Sequence, residues 1–369
     1  MATERLYYND CYLAEFDAKT VSRSGDGLRV VLDRSAFYPT SGGQLFDLGT
    51  LGGARVVEVV DDGDAVTHVL ETPIAAGPVK GVINWERRFP FMQQHTGQHL
   101  LSAVFHSLFG FETASVHLGE EGGTVELVTG AISETQMRQA EARANQVIVE
   151  NRDVVVTFEE NPEGLRKASE RTGRLRIVTI ADLDKSACGG THVRKTGEIG
   201  SLLLRKAEKI RGNTRVEFVC GAMAVRRARM DFELLTAAGR AFSRPFEEVP
   251  AAVLSLQDAA KESAKQLKAL ALELAGYKGR TLFAAAAGGR HWEKLDAVDE
   301  STRALAQAFV GCGTGVFLAT GGGAALVASS DPAVHCGNLL KQFGRGGGTA
   351  ALAQGSVAEP GPMAEALGF

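Results

Sequence analysis

The sequence offers little that would cross-link it or fix it in a membrane. Its 369 residues include five cysteines, an odd number with no Cys-x-x-Cys pair. That argues against a disulfide framework and for a reducing compartment. Met1–Asp10 has no basic segment leading into an apolar run, so no signal peptide is expected. The longest apolar stretch, near Val316–Ala328, is too short and too rich in glycine to span a bilayer. These absences make the cytoplasm the default location and leave the membrane out as a partner. The net charge of −4 gives the whole chain no pull toward nucleic acid. Gly344, Gly346, Gly347 and Gly348 surround Arg345, but no Gly-Lys-Ser or Gly-Lys-Thr follows, which excludes a triphosphate loop. No Ser-His-Asp or Cys-His nucleophile set stands out.

What is present reads as a soluble globular chain of several domains, with 44% hydrophobic and 23% charged residues. The expected fold class is α+β. Residues 1–88 carry short β-branched runs punctuated by Gly, Asp and Pro, as in a small β-barrel. Residues 89–222 alternate helix and strand patterns. A helix is expected from about Arg88 to Phe109, and another over Ile132–Asn151 with Ser133 as N-cap. Residues 223–278 form a helical arm: Met223–Phe242, a break at two prolines in "SRPFEEVPAAV", then an amphipathic Leu254–Ala275. Residues 279–369 read as a small, glycine-rich α/β domain with a helix over Asp299–Val310.

Charge is uneven along the chain. Ten Lys/Arg lie between Arg194 and Arg229, opposed only by Glu198, Glu208 and Glu217. Such a stretch suits either a phosphate-facing surface or a solvated face.

The sharpest chemical signal comes in two halves. In "HTGQHLL", His95 and His99 stand four apart, so a helix places both imidazoles on one face. Further on, "CGGTH" sets Cys188 and His192 around two glycines that permit a tight loop. Three imidazoles and a thiolate make an ordinary zinc set. A zinc protease of the His-Glu-x-x-His type is excluded, because Thr96 follows the first histidine and Gln98 precedes the second. Four candidate ligands favour a closed, structural site, whereas a catalytic site keeps a position open; spacing alone does not choose between them.

"HTGQH" followed about ninety residues later by "CGGTH" resembles the editing domain of alanyl-tRNA synthetase and its free-standing AlaX relatives. "AFYPTSGGQLFDLG" (Ala36–Gly49) and "TRVEFVCG" (Thr214–Gly221) match further segments of that family, and "FGRGGGTAALAQGSV" (Phe343–Val357) is similar to the glycine-rich end of the domain that follows editing in the synthetase. The chain opens at the editing barrel with no aminoacylation domain ahead of it, so the resemblance is to the long AlaX type. It implies that residues 89–222 are a zinc-containing editing domain with His95, His99, Cys188 and His192 as ligands. It implies ATP-independent, trans-acting hydrolysis of mischarged Ser-tRNA(Ala), with Gly-tRNA(Ala) as a second substrate. It also implies contact of the C-terminal domain with the tRNA body, and a homodimer through the helical arm and that domain.

A second site of this kind answers an energetic need. An alanine pocket cannot exclude the smaller glycine, and rejects an added hydroxyl by only ~10²-fold. An editing site that hydrogen-bonds the serine hydroxyl discriminates, because the same buried group left unpaired by alanine costs about 1–3 kcal/mol. Thr40 is the candidate for reading that hydroxyl, with Ser41 beside it; Gln44 is the candidate for holding the aminoacyl end or the water. Arg205, Lys206, Lys209, Arg211 and Arg215 follow the Cys/His loop and are the candidate tRNA contacts. Two rival functions remain at this stage: a non-catalytic tRNA-binding protein with a structural zinc, and a metal-dependent hydrolase of small free esters or amides.

Overall fold

The computed structural model describes residues 2–168 and 173–369. The chain is mixed α+β and divides into two compact units, Met1–Thr236 and Ala237–Phe369.

The first unit opens with six strands: β1 (Glu15–Arg23), β2 (Arg29–Leu32), β3 (Gly49–Leu51), β4 (Ala54–Asp62), β5 (Ala65–Leu70) and β6 (Pro78–Ile83). They pair in the order β1-β2-β5-β4-β3-β6, and β6 returns to β1, closing a barrel. Alternation drives this closure. Phe16 and Ala18 on β1 and Val30 and Leu32 on β2 point inward, with Glu15, Asp17, Lys19 and Arg29 exposed between and beside them, and Val66 and Leu70 on β5 join the same core.

Helix α1 (Trp85–Phe109) follows. It begins three residues ahead of the sequence expectation, because Asn84 caps it through the Arg87 N–H and Glu86 suits the first turn. Nearly every residue from Arg88 to Phe105 is buried, including Gln93, Gln94, Thr96, Gln98 and Ser102. A helix covered on all sides lies inside a core rather than on it. Around it stand β7 (Thr113–Gly119), β8 (Gly122–Leu127), α2 (Glu134–Val149), β9 (Val154–Glu160), β10 (Arg174–Ile180), β11 (Asp184–Ala187), β12 (Leu202–Ile210) and β13 (Asn213–Cys220). One sheet runs β12-β13-β8-β7 and a second runs β9-β10-β11. Ser133 caps α2 in a reciprocal box with Gln136, as its position suggested.

One buried ion pair fastens barrel to helix. Arg88, with no exposed surface, reaches Asp47 through Nε at 2.9 Å and donates to the carbonyls of Cys11 at 2.9 Å and Ala36 at 2.5 Å. The second oxygen of Asp47 accepts from the Tyr38 N–H at 2.6 Å. The 36–49 segment is thereby held against the start of α1.

Helix α3 (Gly221–Ala241) ends the first unit and begins the second, which continues with α4 (Val249–Ala285), β14 (Arg290–Lys294), α5 (Glu300–Val310), β15 (Val316–Gly321), β16 (Ala324–Ser329), α6 (Cys336–Phe343), β17 (Arg345–Gly348), β18 (Leu352–Ser356) and α7 (Pro360–Ala366). Its sheet runs β14-β15-β16-β18-β17. The expected break before Leu254 falls earlier: Pro250 sits in the first turn of α4, where a missing N–H costs nothing, so the helix starts at Val249. No helix among the described residues is long and apolar enough to cross a membrane.

Replacing Arg88 with Met strands the Asp47 carboxylate without its cation. The expected loss is about 3–5 kcal/mol of stability, read by urea denaturation followed by circular dichroism; a loss near zero would show that the pair does not hold the two elements together.

Candidate metal centre

Helix α1 places His95 and His99 one turn apart, with ring centroids 5.3 Å from each other. The loop after β11 brings Cys188 and His192 to the same point. The Cys188 Sγ lies 3.4 Å from His95 Nε2 and 3.3 Å from His192 Nε2. One donor atom from each of the four residues lies within 4.8 Å of the others.

The loop is held from three directions. Arg176 on β10 donates to the Cys188 carbonyl at 2.7 Å and to the Tyr8 carbonyl at 3.0 Å. The Gly190 N–H points at the Cys188 sulfur from 3.3 Å. Gly190 also lies so close to the His95 ring that a Cβ there would run into it, which only glycine avoids.

Hydrogen bonds fix the tautomer of all three imidazoles. His95 Nδ1 lies 2.7 Å from the Gln44 amide oxygen, and the Gln44 amide nitrogen donates to Thr191 Oγ1 at 2.8 Å. Thr96 Oγ1 spends its proton on the Met92 carbonyl at 2.9 Å, so it can only accept from His192 Nδ1 at 3.2 Å. His99 Nδ1 donates to the Asp184 carboxylate at 3.0 Å. Each ring therefore carries its proton on Nδ1 and presents the lone pair of Nε2 to the common point. That donor set fits a metal ion.

Charge agrees with geometry. Burial pushes the Cys188 thiol up, but His95, His192 and His99 draw it well below its ordinary value. Burial and the neighbouring His95 hold His192 neutral, with a pKa of about 3. At His99 burial acts to lower the pKa, yet the Cys188 thiolate and Asp184 raise it to about 9. A thiolate and a neutral imidazole are the forms that bind a cation, and the negative charges that favour a proton on His99 favour a metal as well.

The other expected residues fare differently. Gln44 is fully buried with its amide committed to His95 and Thr191, so it stands behind a ligand instead of facing an ester or a water. Thr40 is exposed and its hydroxyl accepts from the Phe46 N–H at 3.1 Å, closing its own turn. Ser41 pairs with Gln44 through the backbone, and its carbonyl accepts from Tyr38. In that turn Gly43, at φ +84°, packs on the β7 backbone: a Cβ would sit 2.7 Å from the Val116 carbonyl. The basic stretch is largely neutralised. Arg205 pairs with Asp231, Lys206 with Glu208 at 2.6 Å, and Arg215 with Glu126 at 4.0 Å. Lys209 and Arg211, near the tip of the β12–β13 hairpin, form no ion pair among the described residues.

Sequence reasoning missed Asp184, Thr96, Thr191 and Arg166, since nothing local marks them as partners of the centre. It also missed a buried Ser35–His68 pair, Oγ to Nε2 at 2.7 Å, inside the barrel. Both residues have no exposed surface, and burial lowers His68 to about 4, so this pair is a packed polar contact.

A buried helix with two imidazoles facing a Cys/His loop, beside a closed barrel, defines a class of domain with a cluster able to hold a metal, and comparison with known proteins names it. Residues 175–217 match the threonyl and alanyl tRNA synthetase second additional domain. The chain is 36% identical over 242 residues to the alanyl-tRNA editing protein AlaX-M of Methanosarcina acetivorans, covering 58% of this chain and 98% of that one. It is 35% identical over 239 residues to AlaX-L of Pyrococcus horikoshii, covering 60% and 59%. To the alanine–tRNA ligase of Archaeoglobus fulgidus it is 32% identical over 390 residues, covering 96% of this chain and 42% of that one. The chain belongs to the AlaX family of alanyl-tRNA editing proteins. It spans less than two thirds of AlaX-L and of the ligases.

The centre predicts its own stoichiometry. Protein prepared with added Zn²⁺ and then desalted is expected to retain one ion per chain by elemental analysis, and Cys188→Ala or His95→Ala to lose most of it. Equal retention in both variants would mean these side chains are not ligands.

Proposed function

We propose that this protein hydrolyses the ester of mischarged Ser-tRNA(Ala), with Gly-tRNA(Ala) as a second substrate, at a Zn²⁺ held by His95, His99, Cys188 and His192. Zinc suits the donors. Bonds of about 2.3 Å to sulfur and 2.0–2.1 Å to nitrogen set those atoms roughly 3.5 Å apart at a tetrahedral angle, beside separations of 3.3 and 3.4 Å here. Bound there, the ion supplies Lewis acidity to an ester carbonyl or a water.

The observation that carries the reading is the Gln44–His95 hydrogen bond. It ties the 40–44 turn, with the hydroxyls of Thr40 and Ser41, to a ligand of the centre. In this reading Thr40 pairs with the serine hydroxyl, Ser41 supports it, and Gln44 keeps His95 oriented. The free charges of Lys209 and Arg211 meet phosphates, with Arg205 and Arg215 exchanging their carboxylate partners for RNA; such contacts weaken as salt rises. Membership among the alanyl-tRNA editing proteins supports the substrate class.

A second reading has its own support: four protein ligands complete a tetrahedral set, as in structural zinc sites. One experiment separates the two. Purified protein is mixed with Ser-, Gly- and Ala-charged tRNA(Ala), with and without chelator. The expected result is rapid loss of the serine ester, loss of the glycine ester as well, survival of the alanine ester, and no reaction after chelation. Survival of the serine ester at the uncatalysed rate overturns the proposal and leaves the structural reading.

The same reading extends to self-association. Leu256, Leu267, Leu270 and Leu274 of α4 are exposed at spacings that fit one heptad stripe. Sedimentation is expected to show a dimer that Leu267→Lys with Leu270→Lys converts to monomer; a monomeric wild type removes this part.

A further inference from the structure

The three imidazoles of the centre do not have equivalent partners. His95 leans on a neutral amide and His192 on a neutral hydroxyl. His99 alone leans on a carboxylate, Asp184, whose side chain is wholly buried. Removing a carboxylate from water costs several kcal/mol unless donors surround it. Three do: His99 Nδ1 at 3.0 Å and Ser186 Oγ at 2.9 Å on one oxygen, and Arg166 Nε at 2.6 Å on the other. Arg166 also reaches Ser186 Oγ at 3.3 Å, so the group is cross-braced.

Its place in the fold links it to the remaining ligands. Asp184 opens β11, the strand that runs into the Cys188–His192 loop. The register is pinned by β10, with Asp184 opposite Ile180 and Ala187 opposite Ile177. A slip of one residue would turn Asp184 to the other face of the sheet. One strand therefore delivers two ligands from its end and the partner of a third from its start.

We propose that Asp184, braced by Arg166, is the positioning residue of the metal centre: it holds His99 in the Nδ1–H tautomer, aims Nε2 at the ion, and strengthens that ligand through its negative charge. This rests on the cluster binding a metal and is independent of the deacylation reading. Outer partners of this kind typically contribute 10–100-fold in metal affinity. Gln44 and Thr96 orient their rings without supplying charge, so Asp184 sets the affinity more than either.

The test uses the full-length protein and Co²⁺ or Zn²⁺ in competition with a chromophoric chelator. Asp184→Asn is expected to weaken binding about 10–100-fold and to alter the visible absorption of the Co²⁺ form. In a His99→Ala background, Asp184→Asn should produce no further loss, because it acts through that ring. Arg166→Gln should weaken binding by a smaller factor. Unchanged affinity in Asp184→Asn, or the same loss with and without His99, overturns the proposal and leaves Asp184 a packing residue. If Asp184→Asn does not fold, the wild type still decides the matter: in the cadmium-loaded, nitrogen-15-labelled protein, His99 should couple to cadmium through Nε2 and carry its proton on Nδ1. Coupling through Nδ1 contradicts the assignment. None of these readouts involves RNA, so a protein that binds metal in this way and spares Ser-tRNA(Ala) would refute the proposed activity alone.

Discussion

A helix buried on every side must satisfy each polar group it carries, and this obligation organises the first unit. Polar groups shut away from water without a partner cost free energy comparable to a lost hydrogen bond, or more. Helix α1 carries a long row of them. Arg88 takes Asp47 from the barrel segment, His95 takes Gln44 from the same segment, His99 takes Asp184 from β11, and Gln93 donates to the Glu198 carbonyl beyond the Cys/His loop. Thr96 and Gln98 are satisfied within the helix, at Met92 and Ser102. The elements around α1 are thus joined to it through polar contacts as well as apolar packing, and the Cys/His cluster lies where those contacts converge. Gln94 departs from this: its amide nitrogen meets the Met223 sulfur at 3.0 Å, while its buried oxygen has no hydrogen-bond partner among the described residues.

The same accounting explains why the histidines present one nitrogen each to a common point. A neutral imidazole has one donor and one acceptor. Once Gln44, Thr96 and Asp184 have accepted the Nδ1–H groups, the three Nε2 atoms face one another beside a thiolate in the buried interior. Such an array is stable when something positive occupies the convergence point, and the raised proton affinity of His99 expresses that demand. A cation there answers the thiolate and, through His99, the Asp184 carboxylate; Arg166 balances that carboxylate from the other side.

The clustering of His95, His99, Cys188 and His192 was legible because each half obeys a local rule: i, i+4 on a helix, and a Cys and a His around glycines. The barrel was legible from alternation, and the cap at Ser133 from residue type. Asp184 and Arg166 were not legible, since an Asp in a strand and an Arg in a turn have no spacing signature; tertiary folding alone brings them together across 18 residues. Gln44, expected to hold the aminoacyl end or the water, has its amide engaged by His95 and Thr191. Its sequence position does not reveal that the turn at Gly43 packs on β7 and drives the amide inward toward His95. The basic stretch looked freer than it is, because Asp231 and Glu126, which neutralise two of its arginines, lie outside it in sequence.

The central claim is that three imidazoles and one thiolate converge on a single ion. X-ray absorption at the zinc edge of the loaded protein tests it most directly. The account predicts one sulfur scatterer at about 2.3 Å and three nitrogen scatterers, with imidazole outer-shell features, at about 2.0–2.1 Å. A shell without sulfur, or one made of six oxygen or nitrogen atoms, would contradict it.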